Sequence, residues 1–215
     1  MLVKNRMTLN PVTVGPDTFF VEAMRIMGER GYRHLPVVDK KGTLIGVVTQ
    51  TDIVRTSPSP ATALSVSEVN YLLANLRIRE VMSSPAITAV EDTPLEEAAR
   101  VMVANKIGCL PVMRGGKLVG MITETDIFKS FVEVLGGENA TLRVTLRVPD
   151  VRGELARLSG VIAQLGGNIC SVAAFRSEDA SHAYIVFRLE GVDEEALVPA
   201  LESAGEKVVH VCCAS

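Results

Sequence analysis

Gly46-Val-Val-Thr-Gln-Thr-Asp-Ile53 and Gly120-Met-Ile-Thr-Glu-Thr-Asp-Ile127 are two versions of one phrase, and they decide the fold. Ahead of the first stands Leu35-Pro-Val-Val38, and ahead of the second Leu110-Pro-Val-Met113. Farther upstream, Thr18-Phe-Phe-Val-Glu-Ala-Met-Arg-Ile-Met27 matches Thr93-Pro-Leu-Glu-Glu-Ala-Ala-Arg-Val-Met102. The earlier blocks are offset by 75 residues and the last by 74, so a one-residue gap falls in the turn around Lys40–Thr43. Three matched blocks in one order are an internal duplication.

Each copy has the same local periodicity. Phe20, Ala23, Met24 and Met27, and likewise Leu95, Ala98, Ala99 and Met102, recur at the spacing of one helix face. Thr18 and Thr93 are expected N-caps, with Pro94 and Glu96 completing a capping-box start in the second copy. The Met-containing faces suit a core and, less simply, an assembly surface. Short apolar runs at Leu35–Val38 and Leu44–Val48, joined by Lys41-Gly42, predict a hairpin. The second copy repeats it with Leu110–Met113, Gly115-Gly116 and Leu118–Ile122. A further helix begins near Asp52 and Asp126. The unit is therefore β-α-β-β-α, twice.

Between the copies, Ser57-Pro-Ser-Pro-Ala61 reads as a linker, and Ser65-Val-Ser-Glu68 as a capping box opening a short helix through Leu72, Leu73 and Leu76. After Ala140 the pattern changes. Thr141–Val148 alternates polar and apolar as a strand with one wet face does, and Leu155, Leu158, Ile162 and Leu165 follow at helical spacing. Asn168–Phe175 and Ala183–Leu189 read as strands, Asp193 as a helix cap with Pro199 as a conflict inside that helix, and Lys207–Val211 as a last strand. The order β-α-β-β-α-β is the ferredoxin-like arrangement.

Composition narrows the function. Aromatics make up 4% with no Trp, and the net charge is −3, which excludes a base-stacking or phosphate-steering nucleic-acid surface and an anionic-lipid surface. The four cysteines (Cys109, Cys170, Cys212, Cys213) form no C-x-x-C and only three histidines exist, against a disulfide framework or zinc site. No signal-peptide pattern or membrane-length apolar run is read, so a soluble, cytoplasmic chain is expected. G-x-S-x-G, H-E-x-x-H and P-loop motifs are missing; Cys170 reads as core packing, and His182 and His210 as isolated strand residues. No catalytic residue and no metal ligand is assigned.

Two constellations remain. Asp52 and Asp126, each three residues after Thr49 and Thr123, place a carboxylate at a helix start where it can accept both hydroxyls of a ribose, beside N–H groups and a positive helix end. The competing reading is a simple helix cap. Arg33 and His34 supply donors for phosphate, and their counterparts in the second copy are Gly108 and Cys109, with Lys106 the nearest cation. The duplication is thus asymmetric, and one good nucleotide site is expected rather than two, with Gly108 leaving room a side chain would fill.

The helix, L-P-V-V and G-h-h-T-x-x-D-h blocks resemble a CBS domain, and the tandem over residues 1–135 resembles the paired CBS (Bateman) module. The resemblance implies an adenosine-containing ligand read by Thr49, Asp52, Thr123 and Asp126, with phosphates at Arg33 and His34. Gly153-Glu-Leu155 and Gly166-Gly-Asn-Ile169 make the last third similar to an ACT domain, a family that often binds an amino acid at a subunit interface. It implies Asp150, Gly153, Leu155, Asn168 and Ile169 as amino-acid contacts. Arg152 stands where that family usually has Pro, and Val148 and Asp150 where its amino-acid binders carry amides or imidazoles. The whole order, with Asn70-Tyr-Leu-Leu73 ahead of Val81-Met82, resembles the acetoin-utilisation protein B family.

The expected fold is α+β: CBS repeats at 1–56 and 77–135 packed as a pair, a linker with a short helix at 57–76, and a ferredoxin-like ACT domain at 139–215. The expected function is a non-enzymatic regulatory sensor with no cofactor. It binds AMP, ADP or ATP, signals through the ACT domain to an unidentified target protein, and pairs as a homodimer. The alternatives are a ligand-independent dimerisation scaffold and a sensor of S-adenosylmethionine or NAD.

Overall fold

The computed structural model describes residues 1–52, 68, 73–135, 141–178 and 182–214. The chain divides into two compact units at 1–127 and 128–215. The proposed linker and the Ser65–Glu68 capping box lie almost wholly outside the described residues; residues 73–75 are helical.

In the first unit each copy begins with a short 3-10 turn, Val3–Asn5 and Ile78–Glu80. Copy one continues with β1 (Thr8–Leu9), α1 (Phe20–Arg30), β2 (His34–Val38), β3 (Leu44–Thr49) and a helical turn at 50–52. Copy two has β4 (Ala89–Val90), α2 (Leu95–Asn105), β5 (Cys109–Arg114), β6 (Lys117–Thr123) and α3 (Glu124–Val134), which begins in the first unit and ends in the second. β2–β3 and β5–β6 are antiparallel hairpins, their Gly42 and Gly115-Gly116 turns at positive φ as the sequence requires.

The expected N-caps are corrected. The capping positions are Phe19 and Pro94, neither with a side-chain cap. Thr18 and Thr93 instead accept hydrogen bonds from the Gly15 and Val90 N–H groups at 3.1 and 3.2 Å, closing the turn one step upstream. Met27 and Met102 lie in the cores at 5% and 4% exposure, while Met24 is exposed.

The copies exchange their N-terminal segments. β1 of copy one pairs with β6 of copy two (Thr8 opposite Met121), and Ser83 of copy two pairs with Val47 of copy one. The bonds obey an internal twofold: the Val3 N–H donates to Thr93 at 2.9 Å and the Ile78 N–H to Thr18 at 3.0 Å. Val3 accordingly belongs to the core of Leu95, Ala98, Leu110, Val112 and Ile122, and Ile78 to that of Phe20, Ala23, Leu35, Val37 and Val48. Val47, Cys109 and Met121 form a small apolar cluster joining the copies.

This exchange explains the glycine that opens each quoted phrase. A Cβ on Gly46 would stand 2.7 Å from the Ser83 carbonyl oxygen, and one on Gly120 2.6 Å from Met7 Sδ and 3.1 Å from the Thr8 carbonyl. Only glycine lets the visiting segment lie that close.

The second unit is one antiparallel sheet, ordered β10-β7-β9-β8, with two helices. Its elements are β7 (Thr141–Val148), α4 (Glu154–Gln164), β8 (Asn168–Arg176), β9 (Ala183–Glu190), α5 (Glu194–Ser203) and β10 (Lys207–Ala214). Leu142, Val144, Leu146, Val148, Ile185, Phe187 and Leu189 form the sheet side of its core, met by Leu158, Ile162, Leu197 and Leu201 from the helices. Alternation along β7 and β9 separates this face from the wet one. Pro199 sits within α5, which begins at Glu194 all the same. Cys170 corrects its expected place: it falls in a bulge of the edge strand β8 and is exposed.

Candidate functional site

Among the described residues of the first unit, two cavities are related by the internal twofold. The first, about 550 Å³, is lined by Val47, Thr49 and Asp52 of copy one together with Ser83, Pro85, Ala86, Ile87 and Lys106–Cys109 of copy two, plus Gln50 and Glu124. The second, about 410 Å³, is lined by Met121, Thr123 and Asp126 of copy two together with Thr8–Val12 and Gly31–His34 of copy one. Each cavity therefore takes its Thr/Asp pair from one copy and its strand-entry segment from the other. The duplication fixes the parts but not this crossing, which follows from the exchanged segments.

In both pairs the local geometry is a reciprocal cap. Asp52 Oδ2 accepts the Thr49 N–H at 2.9 Å and the Thr49 hydroxyl at 2.8 Å, while the Asp52 N–H donates to Thr49 Oγ1 at 3.2 Å. Asp126 and Thr123 repeat this at 2.9, 2.7 and 3.4 Å. The capping role is therefore present in full. It also pre-orients each carboxylate at the mouth of a cavity of a size that holds a small-molecule ligand.

Arg33 and His34 line both cavities. Arg33 donates to Thr125 Oγ1 at 2.7 Å and stands 3.7 Å from Glu124 Oε1. Burial, and then the Arg33 charge, hold His34 below its ordinary value of 6.5, with Glu124 and Asp52 pulling the other way. The imidazole is neutral at pH 7, a hydrogen-bonding group rather than a charge. A side chain at Gly108 would press on this arrangement, since a Cβ there would lie 3.3 Å from His34 Nε2 and 3.4 Å from Glu124 Cδ.

Cys109, at His34's equivalent place, is buried, and desolvation pushes its thiol up to about 12, aided by the Asp52 and Glu124 charges. A thiol held protonated is a poor nucleophile. No group of three or more potential metal ligands occurs among the described residues. Glu124, Tyr32, Ser83, Pro85, Ala86 and Ile87 were not legible as site residues, and Lys106 was legible only as the nearest cation in the second copy. The one available signal was the Gln50/Glu124 mismatch between the copies.

In the second unit the five proposed amino-acid contacts do not converge within one chain. Asp150 forms an ion pair with Arg176 at 2.7 Å, which the sequence did not suggest. Gly153, at φ +86°, ends the turn before α4, and Leu155 is exposed on its first turn. Asn168 lies beyond the other end of that 11-residue helix, about 16 Å away along the axis, opposite Glu190. Ile169 packs against the core.

The comparisons with known proteins identify the two kinds of module. The CBS domain family matches residues 3–59 and 78–133, together more than half of the chain, and a TTHA0829-like ACT domain matches 140–212. The protein MJ1225 of Methanocaldococcus jannaschii is 33% identical over 60% of this chain, which spans 47% of that relative. The inosine-5'-monophosphate dehydrogenase of Aquifex aeolicus is 31% identical over 87% of this chain, which spans 35% of that enzyme. Among solved structures, the acetoin utilization protein AcuB from Vibrio cholerae superposes with a TM-score of 0.52 at 30% identity, covering 63% of this chain and 93% of its own. CBSX2 in complex with AMP gives 0.50 at 28%, covering 62% and 97%. The CBS domain pair of protein MJ0100 in complex with 5'-methylthioadenosine and S-adenosyl-L-methionine gives 0.51 at 31%, covering 61% and 99%. The chain belongs to the CBS domain family, its two CBS domains followed by an ACT domain of the TTHA0829-like kind.

Proposed function

We propose that the protein is a cytoplasmic regulatory sensor without catalysis of its own, which binds an adenosine-containing ligand, an adenine nucleotide first, in its CBS pair. The carrying observation is the pair of twofold-related cavities, each with the same capped Thr/Asp pair at its mouth. Asp52 and Asp126 take the ribose hydroxyls, Thr49 and Thr123 the sugar edge, and Arg33 and His34 the phosphates. The complexes of CBSX2 with AMP and of the MJ0100 CBS pair with S-adenosylmethionine support an adenosine core.

Bound ligand shifts the population of CBS-pair conformers, and the ACT domain passes that shift to a target protein. The ACT domain takes an amino acid only between two copies, since Gly153 and Asn168 stand at opposite ends of α4 in one chain. A homodimer fits the exposed stripe of Phe128, Phe131 and Val132 along α3.

Calorimetric titration with AMP, ADP, ATP, S-adenosylmethionine and NAD tests the reading. At least one binds, and Asp52→Asn or Asp126→Asn, each of which keeps a capping acceptor, weakens it tenfold or more according to the cavity that takes it. A flat response to all five overturns the sensor and leaves a scaffold.

A further inference from the structure

Arg33 has two claims on it. One guanidinium nitrogen bonds Thr125, which lines the second cavity, and another faces Glu124, which lines the first. The internal twofold provides no second such bridge, because the counterpart of Arg33 is Gly108 and that of Glu124 is Gln50. A side chain at position 108 would press on His34 and Glu124, whose nearest atoms lie 3.3 and 3.4 Å from where its Cβ would stand.

Counting charges among the described residues then separates the cavities. The first is lined by the carboxylates of Asp52 and Glu124 against Lys106 and the shared Arg33. The second is lined by the single carboxylate of Asp126 against the same Arg33. His34, neutral, adds charge to neither. With Arg33 committed to an anion in the second cavity, the first keeps two carboxylates against one lysine.

We propose that the two cavities are unlike and coupled: the second takes a phosphorylated adenosine, the first an adenosine ligand that is neutral or cationic, such as a sulfonium, and the Arg33–Glu124 contact links them. This rests on the adenosine reading above and gives each cavity its ligand class. A phosphate in the second cavity draws the guanidinium from Glu124. The freed Glu124 carboxylate then attracts positive charge in the first cavity and repels a second phosphate. Conversely, a sulfonium near Glu124 competes with Arg33 for that carboxylate and releases the guanidinium to the phosphate. The effect is reciprocal by linkage. Its size is set by a half-exposed ion pair, which corresponds to a change of up to about fivefold in affinity.

Titration of the whole protein with S-adenosylmethionine, alone and with saturating AMP, tests this. The expected result is one site for each ligand and a Kd for S-adenosylmethionine about threefold to fivefold lower when AMP is present, with the same factor for AMP when the order is reversed. In Glu124→Gln, AMP binds as tightly alone as with S-adenosylmethionine, and in Arg33→Ala AMP weakens and the factor falls to one. Both side chains are about half exposed, so neither change threatens the fold. Mutual exclusion of the two ligands overturns the proposal, as does binding of both without coupling or coupling that survives Glu124→Gln. Binding of neither ligand overturns the proposal, and the adenosine reading falls with it only when ADP, ATP and NAD also fail to bind.

Discussion

The two CBS repeats hold equivalent backbone around equivalent cavities, and what differs between them is informative. Position 33 is an arginine and its counterpart 108 a glycine; His34 stands against Cys109, and Gln50 against Glu124. By contrast Gly46 and Gly120, Thr49 and Thr123, and Asp52 and Asp126 are identical, and Val3 and Ile78 are both fully buried apolar residues. The identical positions are those the exchange of N-terminal segments and the helix starts demand. The divergent ones line the cavities beside the identical Thr/Asp pairs. A duplicated frame can be kept by packing and backbone geometry while its two ligand sites part company in charge.

If packing holds the exchanged frame, the largest effect comes from emptying an exchanged core position. Ile78 is fully buried in the core of the other repeat. Ile78→Ala should cost about 2–5 kcal/mol in chemical denaturation, and Val3→Ala, which removes less volume from its equivalent place, a smaller amount. A loss below about 1 kcal/mol for Ile78→Ala would mean the crossing segments only lie on the surface of each other's repeat.

The phrase-opening glycines sharpen the same comparison, because their twofold-related contacts are not equally yielding. A methyl on Gly46 meets the Ser83 carbonyl, which is backbone, whereas on Gly120 its nearest neighbour is the movable thioether of Met7. Gly46→Ala should therefore destabilise by about 1–3 kcal/mol, and Gly120→Ala by less, measured as the shift in thermal midpoint. Equal losses would show that the Thr8 carbonyl, not Met7, sets the limit in the second repeat.

What could be read from the sequence follows from how local each feature is. The hairpins, the amphipathic helices and the βαββαβ order of the C-terminal unit are written in spacings of two to four residues, so periodicity carried them. The Thr/Asp pairs were legible for the same reason, three residues being one helical turn. The exchange of segments was not, because nothing in Val3 or Ile78 says which repeat's core receives it. Nor were Arg33–Glu124 and Asp150–Arg176, whose partners are brought together by tertiary structure alone. Thr18 and Thr93 misled because a threonine at a helix entrance bonds as readily to the preceding turn as to the helix itself.

The smallest effect tests the comparison at its most divergent pair, positions 34 and 109. Burial and the Arg33 charge depress His34 below 6.5, outweighing Glu124 and Asp52, so the unfolded chain binds the proton more readily than the folded one. Stability should therefore fall as pH drops below 6.5. Cys109 is the mirror case: its thiol is raised from 9.0 to about 12 in the folded chain, so the unfolded chain loses that proton first and stability falls as pH rises above 9. Thermal midpoints from pH 5.5 to 7.5 should flatten in His34→Asn, and those from pH 8.5 to 10 should flatten in Cys109→Ala, each leaving the other limb as it was. Equivalent places in one duplicated frame would then limit stability at opposite ends of the pH range. If His34→Asn keeps the wild-type acid limb, the imidazole is solvated when folded and the cleft is wetter than its lining implies.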